Sequence, residues 1–366
     1  MGSKNKFRKL RKFFSEKLFN FIYGKVNLSL KKCKDYSYQD IKLGNSSKYK
    51  IHFMRNSRIY FNKITDVAYI NNNKIICQPS IQQKHFTNKR CSENSVLKKG
   101  TPSFIHKVNG SLCSFIYSES AKDNYWHWIF DVLPKIAIFE KKINLNKIDY
   151  LLFPEIKNRF QIETLDAFKI PQNKRISGFK YNHIYSKKII SCDHPFNKKD
   201  IKNDHQKLPK WIGDWYKTII KLNKIKRKKK MDKIYIDRSD SKNIFRTIIN
   251  EEELKKFLAS KSFKIVQLSK MSFLSQVKLF YNASCVVGLH GAGFANLVFC
   301  RPKTKVIEIA TTMKSKNIIY YLAKANNLNY KCIFFKSVNK RNESLKSIRY
   351  QDKHVKININ KFRQVL

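Results

Sequence analysis

Acidic residues are scarce in this chain: 26 Asp and Glu stand against 76 Lys and Arg, a formal charge of +50 over 366 residues. That balance favours anionic partners, meaning nucleic acid, acidic lipid, or phosphorylated and carboxylated substrates. A second reading competes with it. Lys, Asn and Ile dominate throughout, and the lysines are spread rather than gathered in a stripe, so compositional drift with surface solvation also accounts for the charge. No D-x-D occurs, which leaves no obvious pair of carboxylates to hold a divalent cation on a nucleotide diphosphate. No C-x-x-C occurs either. Cys33, Cys77, Cys91, Cys113, Cys192, Cys285, Cys300 and Cys332 are scattered, several in apolar strand-like runs. The spacing suggests neither a zinc site nor a disulfide framework, and a reducing, cytosolic setting is expected. No apolar run is long enough to span a bilayer.

What is present suffices for two packed domains. Apolar residues make up 42% and aromatics 13%, so the chain is not a disordered polycation. Residues 4–23 carry too many charges for a signal peptide. Phe7, Leu10, Phe14, Leu18 and Ile22 recur there at helical spacing, with Lys and Arg on the other face. Such a helix suits the surface of an anionic membrane, or equally docks on the protein itself.

Residues 29–100 alternate short strand-like runs with polar turns. From residue 112 strands and helices alternate: strand 112–117, helix 125–140, strand 149–153, helix 159–168, strand 184–192. The basic stretch 221–230 reads as a linker or solvated helix end. A second series follows, with strands at 233–237, 263–268, 285–288, 306–309 and 330–335, and helices at 250–260, 272–282 and 318–327. This rhythm predicts an α/β protein of parallel sheets. The expected division is a basic amphipathic helix over 1–28, an acceptor-side α/β domain over 29–222, and a nucleotide-binding Rossmann-like domain over 223–366. Two such domains would face a cleft at their strand ends.

Four features of the second half collect at strand ends. The turn His290-Gly291-Ala292-Gly293 lies between the apolar run 285–289 and a helix-compatible stretch, a geometry that aims backbone N–H groups at phosphate. Its G-x-G spacing also fits a plain tight turn, and Asn296 stands where a dinucleotide fold has a third glycine. Arg238 and Arg246 follow the strand ending at Asp237; they suit phosphate oxygens, or a salt bridge to Glu251 or Glu252. Glu308 is placed to accept hydrogen bonds from a ribose, and comes too late in its domain for the nicotinamide pattern. His290 is either a structural strand-end residue or a donor to a leaving diphosphate.

The first half contributes Asn124-Tyr-Trp-His-Trp-Ile-Phe-Asp-Val-Leu-Pro134. On a helix Asn124, His127 and Asp131 share one face, and an imidazole one turn from a carboxylate makes a general-base pair. A buried polar pair that positions the helix is the competing reading.

Together these blocks resemble glycosyltransferase family 61. The resemblance rests on residues 124–134, Tyr235-Ile-Asp-Arg238, Arg246, Asn250-Glu251, Ser275-Gln276-Val277, residues 287–296 and Val306-Ile-Glu308, and it spans roughly residues 115–335. It implies a GT-B fold and inverting, metal-independent transfer from a nucleotide sugar, with no cofactor. By position Arg238, Arg246, His290, Gly291, Ala292, Gly293 and Asn296 would contact the donor phosphates, and Glu308 the nucleoside end. His127 or Asp131 would be the base, with Asn124 and Trp126 on the acceptor side of the cleft. Asn243-Ile244-Phe245 and Phe294 depart from the family pattern and leave the donor open. The expected acceptor is a glycan or lipid-linked glycan of a bacterial surface polysaccharide, reached from the cytoplasmic face of the membrane. The alternative function is a non-catalytic, basic nucleic-acid-binding protein, with steep salt dependence.

Overall fold

A computed structural model of the chain describes all residues except 1, 29–32, 45–46, 62–66, 81, 85–86, 117–122, 197–207, 241–245, 312–317 and 339–353. The departure at 243–245 therefore lies outside the described residues. The chain divides into two compact units, Met1–His205 and Gln206–Leu366. The division falls before residue 222 because the helix Lys210–Ile219 belongs to the second unit. Its Tyr216 ring meets Phe299 edge-on at 5.6 Å, and Gly213 lies against Asn326. The N-terminal helix Gly2–Tyr23 is part of the first unit.

The first unit holds a nine-stranded mixed sheet. Its strands are β1 (Asn27–Leu28), β2 (Tyr36–Leu43), β3 (Ser47–Phe61), β4 (Val67–Asn71), β5 (Lys74–Ile75), β6 (His106–Ser114), β7 (Tyr150–Phe153), β8 (Arg175–Ser177) and β9 (His183–Cys192). Their order is β1-β5-β4-β3-β9-β6-β7-β8, with β2 also paired to β3. β9, β6, β7 and β8 run parallel, as the sequence rhythm predicts. β3 pairs antiparallel with β2, β4 and β9. The segment that carried no readable motif thus forms an antiparallel meander beside a βαβ half, so this unit is not a plain Rossmann-like sheet. Cys77 and Cys91 are joined by a disulfide, which corrects the expectation of thiols throughout and withdraws the cysteine argument for a reducing compartment.

The second unit is a five-stranded parallel sheet: β10 (Asp232–Asp237), β11 (Phe263–Gln267), β12 (Ala283–Leu289), β13 (Lys305–Ala310) and β14 (Asn329–Phe334), in the order β11-β10-β12-β13-β14. Burial explains the order. β10, β12 and β13 are buried almost continuously, as central parallel strands covered on both faces must be, whereas β11 and β14 are partly exposed edges. One face packs Tyr235, Val287, Leu289, Ile307 and Ile309 against Leu254, Leu258 and Phe362. The chain order reverses between β10 and β12, and the carboxyl ends of strands at such a switch point form a ligand crevice. No helix among the described residues is long and apolar enough to cross a membrane.

Candidate functional site

The switch point of the second unit gathers the predicted phosphate residues. Asp237 ends β10, and its carboxylate accepts the Ser239 backbone N–H at 2.8 Å and pairs with Lys255 at 3.1 Å. That turn sends Arg238 across to the end of β12, where Nη1 donates to the His290 carbonyl at 2.7 Å. Arg246 Nη1 donates to the same oxygen at 2.8 Å. Neither arginine makes an ion pair with Glu251 or Glu252 among the described residues; Glu251 instead accepts the Tyr235 hydroxyl at 2.7 Å. Burial, and then the neighbouring Arg246, push the Arg238 guanidinium down to about 10. Two cations converge on one carbonyl, with the Glu251 and Asp240 carboxylates acting on Arg238 from nearby, and paired guanidinium groups of this kind suit an anion.

The glycines serve this packing. A Cβ at Gly291 would fall 2.9 Å from Arg238 Cζ, and one at Gly293 would fall 2.9 Å from Leu268 Cδ1. Any side chain at 291 would displace the guanidinium. After the turn, Ala292–Phe299 forms a 3-10 helix rather than an α-helix. Asn296 is fully buried and donates to Gln276 Oε1 at 2.9 Å and the Gly293 carbonyl at 3.3 Å, so it fastens the turn from inside. Phe294 is buried against the Gly288 backbone.

His290 is held by its backbone, whose N–H donates to the Ile309 carbonyl at 2.9 Å, and by its ring. Nδ1 hydrogen-bonds Glu308 Oε1, and the Tyr330 hydroxyl donates to Glu308 Oε2. Glu308, expected at a nucleoside, is fully buried and engaged by both His290 and Tyr330. Its partner fixes the imidazole so that Nε2 is the ring nitrogen left for a ligand, on a side chain 27% exposed. Burial and the Glu308 carboxylate drive the Tyr330 hydroxyl far above its ordinary range, so it stays a donor.

In the first unit the predicted helix 125–140 divides into Tyr125–His127, a π-helical turn Trp128–Val132, and Lys135–Glu140. The Leu133 N–H reaches back to the Trp128 carbonyl at 3.1 Å, the five-residue step of a π-turn, a feature that concentrates at functional sites. Asn124 is the helix cap, its side chain accepting the Trp126 N–H at 2.9 Å, and Trp126 is buried with its ring 4.6 Å from Phe130. Both expected acceptor-side residues therefore have structural occupations. Trp128, fully buried, donates from Nε1 to Thr164 Oγ1 at 2.8 Å and anchors the segment.

His127 Nδ1 and Asp131 Oδ2 lie 2.7 Å apart, with the imidazole 40% exposed and the carboxylate 10%. The second imidazole at this carboxylate is His194, two residues past β9 and nearly buried, whose Nε2 stands 3.5 Å from Asp131 Oδ1. At that distance the contact is electrostatic rather than a well-formed hydrogen bond. Burial pushes the Asp131 carboxyl up, but His127 and then His194 more than reverse this and hold it well below the usual carboxylate range. Beneath it, buried Lys135 donates to the carbonyls of Phe115 (3.3 Å) and Ile116 (3.1 Å) just past β6. An ionised, buried carboxylate beside Nδ1 fixes the tautomer and orientation of the His127 imidazole, an arrangement suited to general-base chemistry. The sequence reading missed His194 and Tyr330. Their positions beside strand ends are visible in the sequence, but their carboxylate partners become apparent only through strand adjacency.

No group of three His, Cys, Asp or Glu side chains among the described residues could hold a metal ion. No curated protein matches the chain. The family model described as Glycosyltransferase 61 matches residues 125–307, half of the chain, taking in His127, Asp131 and His290 and ending one residue before Glu308. The chain therefore belongs to glycosyltransferase family 61 and is a glycosyltransferase.

Proposed function

We propose that the chain is an inverting, metal-independent transferase of GT-B type. It would move a sugar from a nucleoside-diphosphate donor to a hydroxyl of a glycan or lipid-linked glycan in surface polysaccharide synthesis, capsular or lipopolysaccharide. The observation that carries the donor reading is the convergence of Arg238 and Arg246 on the His290 carbonyl at the switch point. Guanidinium groups there are built for phosphate oxygens. In the proposed reaction His127 Nε2 takes the proton from the acceptor hydroxyl. The hydroxyl oxygen attacks the anomeric carbon from the side opposite the diphosphate, and the bond from that carbon to the phosphate oxygen breaks. Arg238, Arg246 and His290 Nε2 offset the charge that develops on the leaving diphosphate. Asp131 and Glu308 are positioning residues: each holds an imidazole in one tautomer from Nδ1. Exposure supports His127 rather than Asp131 as the base, since the carboxylate lies nearly buried beneath the ring. Family membership leaves the non-catalytic nucleic-acid reading without support.

The test is calorimetric titration with UDP, GDP, CMP and NAD, each with and without EDTA. Binding of one nucleoside diphosphate that survives EDTA and is weakened about 10–100-fold in Arg238→Ala is the expected result. A requirement for added divalent cation, or equal binding by Arg238→Ala, would overturn the donor site as drawn.

A further inference from the structure

In the helix Gly2–Tyr23 the described side chains that reach the rest of the unit lie along one side. Phe19, 8% exposed, packs edge-on to Phe104 at 4.9 Å and stacks on Tyr23 at 5.9 Å. The Tyr23 hydroxyl accepts the Ile105 backbone N–H at 3.2 Å, and its ring stands edge-on to His183 at 5.6 Å. Glu16 and Asn20 each bury an oxygen. Positions 16, 19, 20 and 23 make one helical stripe. On the opposite side Phe7, Leu10, Phe14, Leu18, Phe21 and Ile22 share a face at i, i+3, i+7, i+11, i+14 and i+15, and every one is exposed, Phe21 to 88%. Among the described residues fifteen large hydrophobic side chains are exposed, and seven of them lie on this one helix, these six and Phe13. A contiguous apolar face of this kind marks an interaction surface rather than chance exposure.

We propose that this face lies in the surface of a membrane containing anionic lipid. Charge selects that occupant. The helix carries seven Lys and Arg against a single acid, Glu16; Glu16 and Lys12 fall on the stripe turned toward the protein, while Arg11 and Lys17 flank the apolar face. A second copy of the chain would bring the same cations to the same face and repel, whereas an anionic bilayer supplies the opposite charge. The helix lies in the interface, since no described helix is long and apolar enough to cross. The proposal does not depend on the transferase reading, because membrane binding needs no sugar nucleotide.

Co-sedimentation of the full chain with vesicles tests it, using phosphatidylcholine alone and phosphatidylcholine mixed with phosphatidylglycerol. The chain should pellet with the mixed vesicles and hardly with the neutral ones. Replacing Phe7, Phe14 and Phe21 together by Ser should lower partitioning on the order of a hundredfold, with unchanged thermal unfolding because all three are exposed. Arg11→Gln with Lys17→Gln should lower it roughly thirtyfold on the mixed vesicles and narrow the preference for the anionic lipid. The proposal fails if the chain does not pellet with mixed vesicles, or if the triple variant pellets like the parent. It also fails if sedimentation velocity without lipid shows a dimer that the triple variant dissociates while vesicles bind nothing; a second copy would then be the occupant.

Discussion

Each of the two units builds a histidine on a buried carboxylate, and the two pairs differ in what occupies the carboxylate's other oxygen. In the first unit Asp131 stands between the imidazoles of His127 and His194. In the second Glu308 stands between His290 and Tyr330, whose hydroxyl is kept protonated by burial and by the carboxylate itself. The surroundings differ in the same sense. Asp131 sits above a buried lysine that is engaged with strand-end carbonyls, and the outer imidazole is the more exposed of the two histidines. His290 lies under two arginines that share its carbonyl. Under the proposed function one pair would take up a proton at its outer nitrogen, and the other would present a fixed polar group to an anion. Similar side-chain pairs acquire different chemistry from their second partner.

The comparison breaks most visibly if the two pairs prove interchangeable. His127→Ala or Asp131→Asn should lower kcat by about 10²–10⁴-fold, the usual weight of a general base, while the calorimetric affinity for the nucleoside diphosphate stays unchanged. A large loss of donor affinity in either variant would place the first unit's pair at the donor instead. Arg238→Ala should show the reverse pattern, weakening the diphosphate by about 10–100-fold through loss of charge-assisted hydrogen bonds. Arg238→Lys should recover only part of this, because an ammonium cannot present two parallel donors. Full recovery would mean that charge alone matters at that corner. Tyr330→Phe sharpens the contrast from the stability side. It leaves one oxygen of the fully buried Glu308 without its donor, and should cost about 1–3 kcal/mol in denaturant unfolding. A neutral result would show that Tyr330 is packing around a carboxylate that does not need it.

The second unit was the more legible in the sequence, for a physical reason. Parallel strands covered on both faces must be apolar almost without interruption, so β10, β12 and β13 announce themselves. The meander of the first unit follows no single burial pattern, with β2 mostly exposed and β4 buried throughout, and the sequence yields no more there than strands and turns. The spacing of His127 and Asp131 was readable because i, i+4 neighbours meet on any helix. The π-turn between them was not, since a slip in backbone hydrogen bonding leaves no side-chain signature. Glu308 was correctly placed inside a strand, but its partners depend on β12 and β14 flanking β13. The helix Lys210–Ile219 is amphipathic whichever unit it covers, so the sequence put the boundary too late. Cys77 and Cys91, fourteen residues apart, carry no pairing signal until their backbones are brought within 5.4 Å.

The smallest effect is expected at His194, and it decides whether the first unit's carboxylate truly differs from the second's. His194→Gln keeps a polar N–H near Asp131 Oδ1 but removes a group that carries charge. The contact is long and electrostatic, so kcat should fall by only about two- to tenfold, no more than one ordinary hydrogen bond would give. The informative readout is acid unfolding. A carboxylate held below its unfolded value of about 3.9 adds stability that is full above that pH and lost as pH falls through the folded value. With one imidazole gone, burial regains ground and the folded carboxyl moves back up toward the ordinary range. The variant should therefore be less stable at neutral pH and begin to unfold at higher pH than the parent, whereas Asp131→Asn with and without His194→Gln should unfold alike in acid. If His194→Gln shifts neither kcat nor the acid transition, His194 is ordinary packing, and Asp131 owes its ionised state to His127 alone, as a single-imidazole pair like that of Glu308.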